Sequence, residues 1–152
     1  MVDFKIVNSR DIDIIKEIET VRRNAFGVSE EVPYFFHNLT SGNMIAVEAL
    51  LDGTVIGGAY VYISRLTKSL NIDRIFIEEE YRNHNYASQL LEYIIQQKDY
   101  FEHYYDMEVD KSFVEPINDE LIAFYQKNGY HSPNSLGQMI RFIHLDKTIK
   151  HR

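Results

Sequence analysis

The chain has 152 residues, enough for one domain with one core, and its 45% apolar and 26% charged residues exclude a disordered polymer. It has no cysteine, so disulfides, thiolate metal sites and cysteine nucleophiles are excluded, and no apolar run approaches the roughly 20 residues of a membrane span. A net charge of −7 and a pI of about 5.3 argue against a general nucleic-acid or anionic-membrane binder and favour cationic partners, while backbone amides can still build a local anion site. The N-terminal stretch lacks the basic start and apolar stretch of a signal peptide, so cytoplasm is the expected compartment.

In chain order, residues 4–8 predict a short strand. Asp11 or Ser9 then caps a helix to about Phe26, with Ile12, Ile15, Ile18, Arg22 and Phe26 at helical spacing. A second short helix is expected over Glu30–Leu39, with Pro33 in its first turn. Met44–Leu50 and Thr54–Ile63 read as strands joined by a hairpin at Asp52-Gly53. Gly57 and Gly58 inside the return strand imply a bulge or a close backbone approach, and sheet twisting rather than ligand binding. Leu70–Glu78 is another strand, and Asn83–Gln97 a helix with the apolar stripe Ala87, Leu90, Leu91, Ile94 and Ile95. Tyr100–Val109 reads as a Tyr-dense strand whose edge is open to pairing with a second copy, as in a homodimer. Asn118–Asn128 is a helix closed by Gly129, and Gly137–Leu145 a last strand before a polar tail that should fray. This order implies a single α/β domain over residues 1–152 with a mixed sheet and helices on both faces.

The informative stretch is residues 72–91, IDRIFIEEEYRNHNYASQLL. A strand ends, a polar turn follows and a helix begins. The first amides of a helix have no internal partners, and with the helix dipole they form a site for phosphate. Asn83, His84, Asn85, Tyr86, Ala87 and Ser88 present those amides, Arg82 adds positive charge beside them, and small Ala87 permits close approach of a bulky ligand.

Here the chain resembles the GCN5-related N-acetyltransferase family. The family signature is Arg or Gln, two residues, Gly, one residue, then Gly or Ala. The chain has Arg82-Asn83-His84-Asn85-Tyr86-Ala87, with Asn85 in place of the central glycine. Asn tolerates unusual backbone angles better than most residues. Downstream, Asn118 to Tyr130 resembles the family's late helix, in which an Asn stands two turns before a Tyr and a Lys-x-Gly-aromatic end follows.

The resemblance implies an acyl-CoA N-acyltransferase fold: a mostly antiparallel sheet in which two parallel strands splay apart around acetyl-CoA. It implies that the backbone of Ile75, Phe76 and Ile77 pairs with the pantetheine arm. Arg82 and the amides of residues 83–88 hold the pyrophosphate, and Asn118 orders the late loop or touches pantetheine. An amine then attacks the thioester directly, with no metal. Tyr125 is the candidate general acid, a phenol placed to protonate the departing thiolate; its alternative is a core tyrosine. Asp73 is the candidate general base, at a place where some diamine acetyltransferases carry an acid; its alternative is a salt bridge near Arg74 or Lys68. Glu19, Glu30 and Glu31 lie where the family often builds its acceptor pocket, and would favour a polyamine or a lysine-like amine if they converge with Asp73 and Glu108. Asp106 and Glu108, sharing a face of the Tyr-dense strand, offer an alternative base or exposed charge, and Glu78 either faces the substrate or joins Glu79 and Glu80 in a solvated turn. The expected acceptor is a small cationic amine, with a peptide or protein amine as a further option. The alternative to an enzyme is an acyl-CoA sensor that binds without turnover.

Overall fold

The computed structural model describes residues 1–28 and 33–143. Six strands follow one another in chain order in one mixed sheet that is mostly antiparallel, with one parallel pair. The residues group into two compact units, one of Met1–Tyr62 with Ile72–Gln96, the other of Ile63–Asn71 with Gln97–Arg152.

In the first unit, β1 (Val2–Ile6) pairs antiparallel with β2 (Ile45–Leu51), and β2 with β3 (Thr54–Ser64). The β2–β3 turn has Asp52 and Gly53 both at positive φ, as a tight hairpin needs. The register shifts between Ala49 and Leu50, opposite the Gly57 region. A Cβ on Gly57 would lie 2.3 Å from the Phe76 carbonyl oxygen, and one on Gly58 2.7 Å from that of Val47. The glycine pair therefore serves close backbone approach, as expected.

Side-chain alternation along the strands separates two apolar layers. Ala46, Val55, Tyr60 and Phe76 face α1 (Ile12–Phe26) and α2 (Pro33–Ser41). Ala49, Ile56 and Ile77 face the opposite side, where Tyr86 and Ala87 of α3 (Tyr86–Gln96) pack. Phe4 and Tyr93 meet at a tilt between β1 and α3 with ring centroids 5.5 Å apart. Asp11 caps α1 through Ile14 N, and left-handed Gly27 closes it. The buried face of α1 is Ile15, Ile18, Glu19, Val21, Arg22 and Ala25, whereas Ile12 is exposed. The expected stripe is thus rotated to take in an ion pair. The start expected for the second helix, Glu30 and Glu31, lies outside the described residues.

In the second unit, residues 98–105 are helical: α4 spans Lys98–Tyr105 and ends at left-handed Asp106. The Tyr-dense strand expected over Tyr100–Val109 is therefore corrected. Strand propensity of tyrosine reflects packing context, and here helical spacing wins. Phe101 anchors the helix in full burial, Lys98 Nζ reaches Glu102 Oε2 at 2.9 Å one turn on, and Glu102 accepts from Val109 N at 2.7 Å. Asp106 and Glu108 consequently share no strand face, and strand pairing of residues 100–105 with a second copy does not arise. The strand of this region is β5 (Lys111–Val114), antiparallel to β6 (Met139–Phe142). Between them α5 (Asp119–Lys127) is capped by Asn118 Oδ1, which accepts from Leu121 N at 2.8 Å. Gly129, at φ +93°, takes the left-handed place after the helix.

Candidate active site

The end of β4 (Ser69–Ile77) leads through a 3-10 turn, Glu79–Tyr81, into Arg82 and the residues before α3. Asn83, His84 and Asn85 precede the helix rather than open it, a correction to the expected start. Asn83 and Asn85 both sit in the left-handed region, at φ +68° and +65°. Asn85 is the residue at the glycine position of the motif, and its backbone takes a conformation that glycine adopts without cost. The left-handed turn at Asn83 carried no signal beyond its residue type.

The first α-helical bond of α3 runs from Gln89 N to Asn85 O at 3.1 Å. Tyr86, Ala87 and Ser88 thus open the helix with amides that have no helix carbonyl below them. These amides, with the positive end of the dipole, form an anion-accepting surface. The His84 ring lies parallel to Tyr86, 14° between planes, with Nδ1 2.9 Å from Arg82 O and 3.2 Å from Tyr81 O. Both neighbours accept only, so Nδ1 carries the proton. Arg82 points its guanidinium back into the protein: Nε donates to Ile77 O at 2.8 Å and Nη2 to Ala25 O at 2.5 Å.

Upstream on β4, Ile75, Phe76 and Ile77 are buried, Phe76 in the layer facing α1 and α2 and Ile77 in the opposite layer. The Phe76 carbonyl faces Gly57, and the Ile77 carbonyl accepts from Arg82. Asp73 is half-buried, with Oδ1 2.9 Å from Arg74 Nη1, which also donates to Asp73 O at 2.7 Å. The Arg74 guanidinium lies 5.1 Å from the centre of the Phe35 ring, and that of Arg22 lies 4.6 Å from the same ring. Glu19 is buried, paired with Arg22 and accepting from the Tyr60 hydroxyl. Its carboxylate is thereby committed to α1 and β3. Burial first, then the charge of Glu80, pushes the Glu78 carboxyl upward from its ordinary value. Sequence reasoning missed the Glu19–Arg22–Tyr60 network; an acid and a base one turn apart on the buried face of α1 were its signal.

In the second unit, Tyr125 is 3% exposed on α5. Its ring meets Phe124 and Tyr130 edge-on at 5.2 and 5.1 Å, and the Tyr130 hydroxyl lies 2.7 Å from Ser112 Oγ. Asn118 holds the start of the same helix. Asp106 and Glu108 are exposed. Among the described residues, no three His, Asp or Glu side chains group as they would to hold a metal ion, and no helix is long and apolar enough to cross a membrane.

The mixed, mostly antiparallel sheet with its one parallel pair and its helices is that of the acyl-CoA N-acyltransferase class of fold. The sequence profile of the acetyltransferase (GNAT) family matches residues 12–130, and the chain belongs to that family of acetyl-CoA-dependent N-acetyltransferases. Its activity class is acetyl-CoA-dependent acyl transfer, with acetyl-CoA as cosubstrate. The fold is similar to the ribosomal-protein-S18-alanine N-acetyltransferase of Escherichia coli, with a TM-score of 0.70 and 16% identity over 95% of this chain and 96% of that one. It is also similar to Tetrahymena GCN5, with a TM-score of 0.69 and 13% identity over 93% and 96%. A third similar structure is the PaiA N-acetyltransferase of Thermoplasma acidophilum in complex with coenzyme A, with a TM-score of 0.59 and 14% identity over 93% and 99%. These identities speak for the fold alone. A comparison with curated protein sequences finds no match.

Proposed function

We propose that the chain moves the acetyl group of acetyl-CoA onto a primary amine by direct attack. The amine nitrogen bonds to the thioester carbonyl carbon, the carbon–sulfur bond breaks, and coenzyme A leaves as the thiolate. In this reading the Asp73 carboxylate takes the proton that the ammonium loses. The Tyr125 phenol gives a proton to the thiolate, and the second proton, shed by the nitrogen as the amide forms, restores the phenol. The amides of Asn83, His84, Asn85, Tyr86, Ala87 and Ser88 receive the pyrophosphate, the β4 backbone at Ile75, Phe76 and Ile77 pairs with pantetheine, and Asn118 orders the late helix. The observation that carries the reading is the left-handed Asn85 at the motif glycine, immediately before the open amides of α3.

The proposed acceptor is a small cationic amine such as a polyamine, supported by the net charge of −7. The test is thiol release from acetyl-CoA over polyamines, aminoglycosides, amino acids and short peptides, with a no-acceptor control. Acceptor-dependent release, reduced about 10²-fold or more in Asp73→Asn and less in Tyr125→Phe, is expected from loss of positioned proton transfer. Tight acetyl-CoA binding with no release for any amine would overturn turnover in favour of a sensor.

A further inference from the structure

We propose that Arg82 is a positioning residue, a clip that ties the C-terminal end of α1 to the end of β4 and so fixes the turn that presents the amides of α3. All these groups lie in one compact unit. The ligand half of the proposal rests on the function proposed above; the structural half does not.

The last carbonyls of a helix have no internal donors. At the end of α1, Val28 N donates to Arg23 O at 2.9 Å and Gly27 N to Asn24 O at 3.2 Å. The next carbonyl, that of Ala25, is reached by Arg82 Nη2. A guanidinium there also meets the negative end of the α1 dipole. The other side of the same planar fork, Nε, holds the last carbonyl of β4, at Ile77. The backbone of Arg82 completes the arrangement. Its amide donates to Glu79 O at 3.2 Å, and its carbonyl accepts from His84 Nδ1 at 2.9 Å. Arg82 thus ties the turn between β4 and α3 by side chain and backbone together, beside the bond from Glu78 N to Ile56 O at 2.8 Å, and its side chain faces protein carbonyls. Phe26 against Phe76, with centroids 6.1 Å apart and the rings tilted, makes a second contact between the same two elements. A lysine keeps the charge but has no fork, so it cannot span both carbonyls as the guanidinium does.

The experiment uses the full chain, with Arg82→Lys and Arg82→Ala. Amide hydrogen exchange is read without ligand, and acetyl-CoA affinity and steady-state kinetics are read alongside. Loss of charge-assisted bonds should speed exchange about ten-fold or more at residues 23–28 and 78–86 in both variants, with β2 unchanged. The KM for acetyl-CoA should rise about ten-fold in both, with kcat within about two-fold and the acceptor KM unmoved, a split that general destabilisation does not give. Unchanged exchange in the lysine variant, with acetyl-CoA affinity kept by lysine and lost by alanine, would show a direct phosphate contact and overturn the clip. The lysine arm decides the matter alone if the alanine variant does not fold. If the unaltered chain binds no acetyl-CoA, the proposed function fails, and exchange still decides whether Arg82 holds the two segments.

Discussion

The Tyr60 hydroxyl on β3 donates to Oε2 of Glu19 on α1, and both side chains are buried. The same carboxylate receives Arg22 Nε at 2.8 Å, and its second oxygen receives Nη2 at 3.3 Å. Burial first, then the Glu19 charge, pushes the Tyr60 phenol far up, so it stays protonated as a donor. Glu19→Ala strands a buried guanidinium and should cost about 3–5 kcal/mol. Tyr60→Phe removes one bond to a charged group and should cost about 1.5–3 kcal/mol. The two losses should not add, because the residues share one network. Urea unfolding checks all three statements. An unfolding midpoint that stays put in Glu19→Ala while the acceptor KM rises would return Glu19 to the acceptor pocket.

Gly57 has no room for a side chain. An added Cβ would meet the Phe76 carbonyl at 2.3 Å, Ile77 Cδ1 at 2.7 Å and Ile77 Cα at 3.0 Å. Two of these three atoms are backbone, so relief requires β3 and β4 to part. Gly57→Ala should therefore reach the upper end of the overpacking range, about 3 kcal/mol. Because β4 is the strand proposed to meet pantetheine, acetyl-CoA affinity should fall as well. Gly53→Ala adds a Cβ that meets nothing within 4 Å, but at φ +84°. It should cost about 1–2 kcal/mol from backbone strain alone and leave the cofactor affinity unchanged. Denaturation midpoints and isothermal titration of acetyl-CoA on the two variants separate the contributions.

Much of the first unit was legible because its signals are local. Asp52-Gly53 sets a hairpin by its backbone angles, and Asp11 caps the start of α1. Asn85 marked its own left-handed turn by standing where a glycine is expected. What was illegible depended on partners distant in sequence. Residues 100–105 have tyrosines that suit a strand, and only Lys98 with Glu102, and Phe101 at the buried position, show the helical period. β5 is four residues long, too short to announce itself by alternation. Arg82 reads as a phosphate ligand from its neighbours in the motif, yet its guanidinium is directed by Ala25, on a different element. Arg22 passed as part of an apolar stripe because its carboxylate partner lies one turn away on the same buried face.

Asn85, at φ +65°, bears a side chain where the family motif has glycine. Left-handed backbone costs about 1–2 kcal/mol for most residues and less for Asn. Asn85→Gly relieves that cost but loosens the unfolded chain, by about 0.4–1 kcal/mol, so stability should change by less than about 1 kcal/mol. Asn85→Val should cost about 2 kcal/mol, since a branched side chain is a true outlier there. The proposed pyrophosphate role adds a second readout: acetyl-CoA affinity should be kept or improved in the glycine variant and reduced in the valine variant. Equal affinity in all three proteins would remove this turn from the cofactor site.

Glu48 is buried on β2, opposite Lys5 of β1 and within the field of Glu17 on α1 and of its cap Asp11. Burial is the main influence and raises its carboxyl pKa; Lys5 opposes the rise, and the two acids add to it. The folded protein therefore keeps this proton to higher pH than the unfolded chain does. As pH climbs from the ordinary value of 4.5 to the elevated folded value, the unfolded state releases its proton first and stability falls. Below that window the group is neutral in both states and contributes no pH dependence. Glu48→Gln stays neutral throughout, so its melting temperature relative to the unaltered protein should rise across the window and then level off. Each pK unit of elevation corresponds to about 1.4 kcal/mol, or about 3–6 °C in a chain of this size. Thermal melts of the two proteins at closely spaced acidic pH values measure it. A difference that is flat with pH would mean that Glu48 ionises in the fold as readily as in water, and one that shrinks as pH rises that it ionises more readily there.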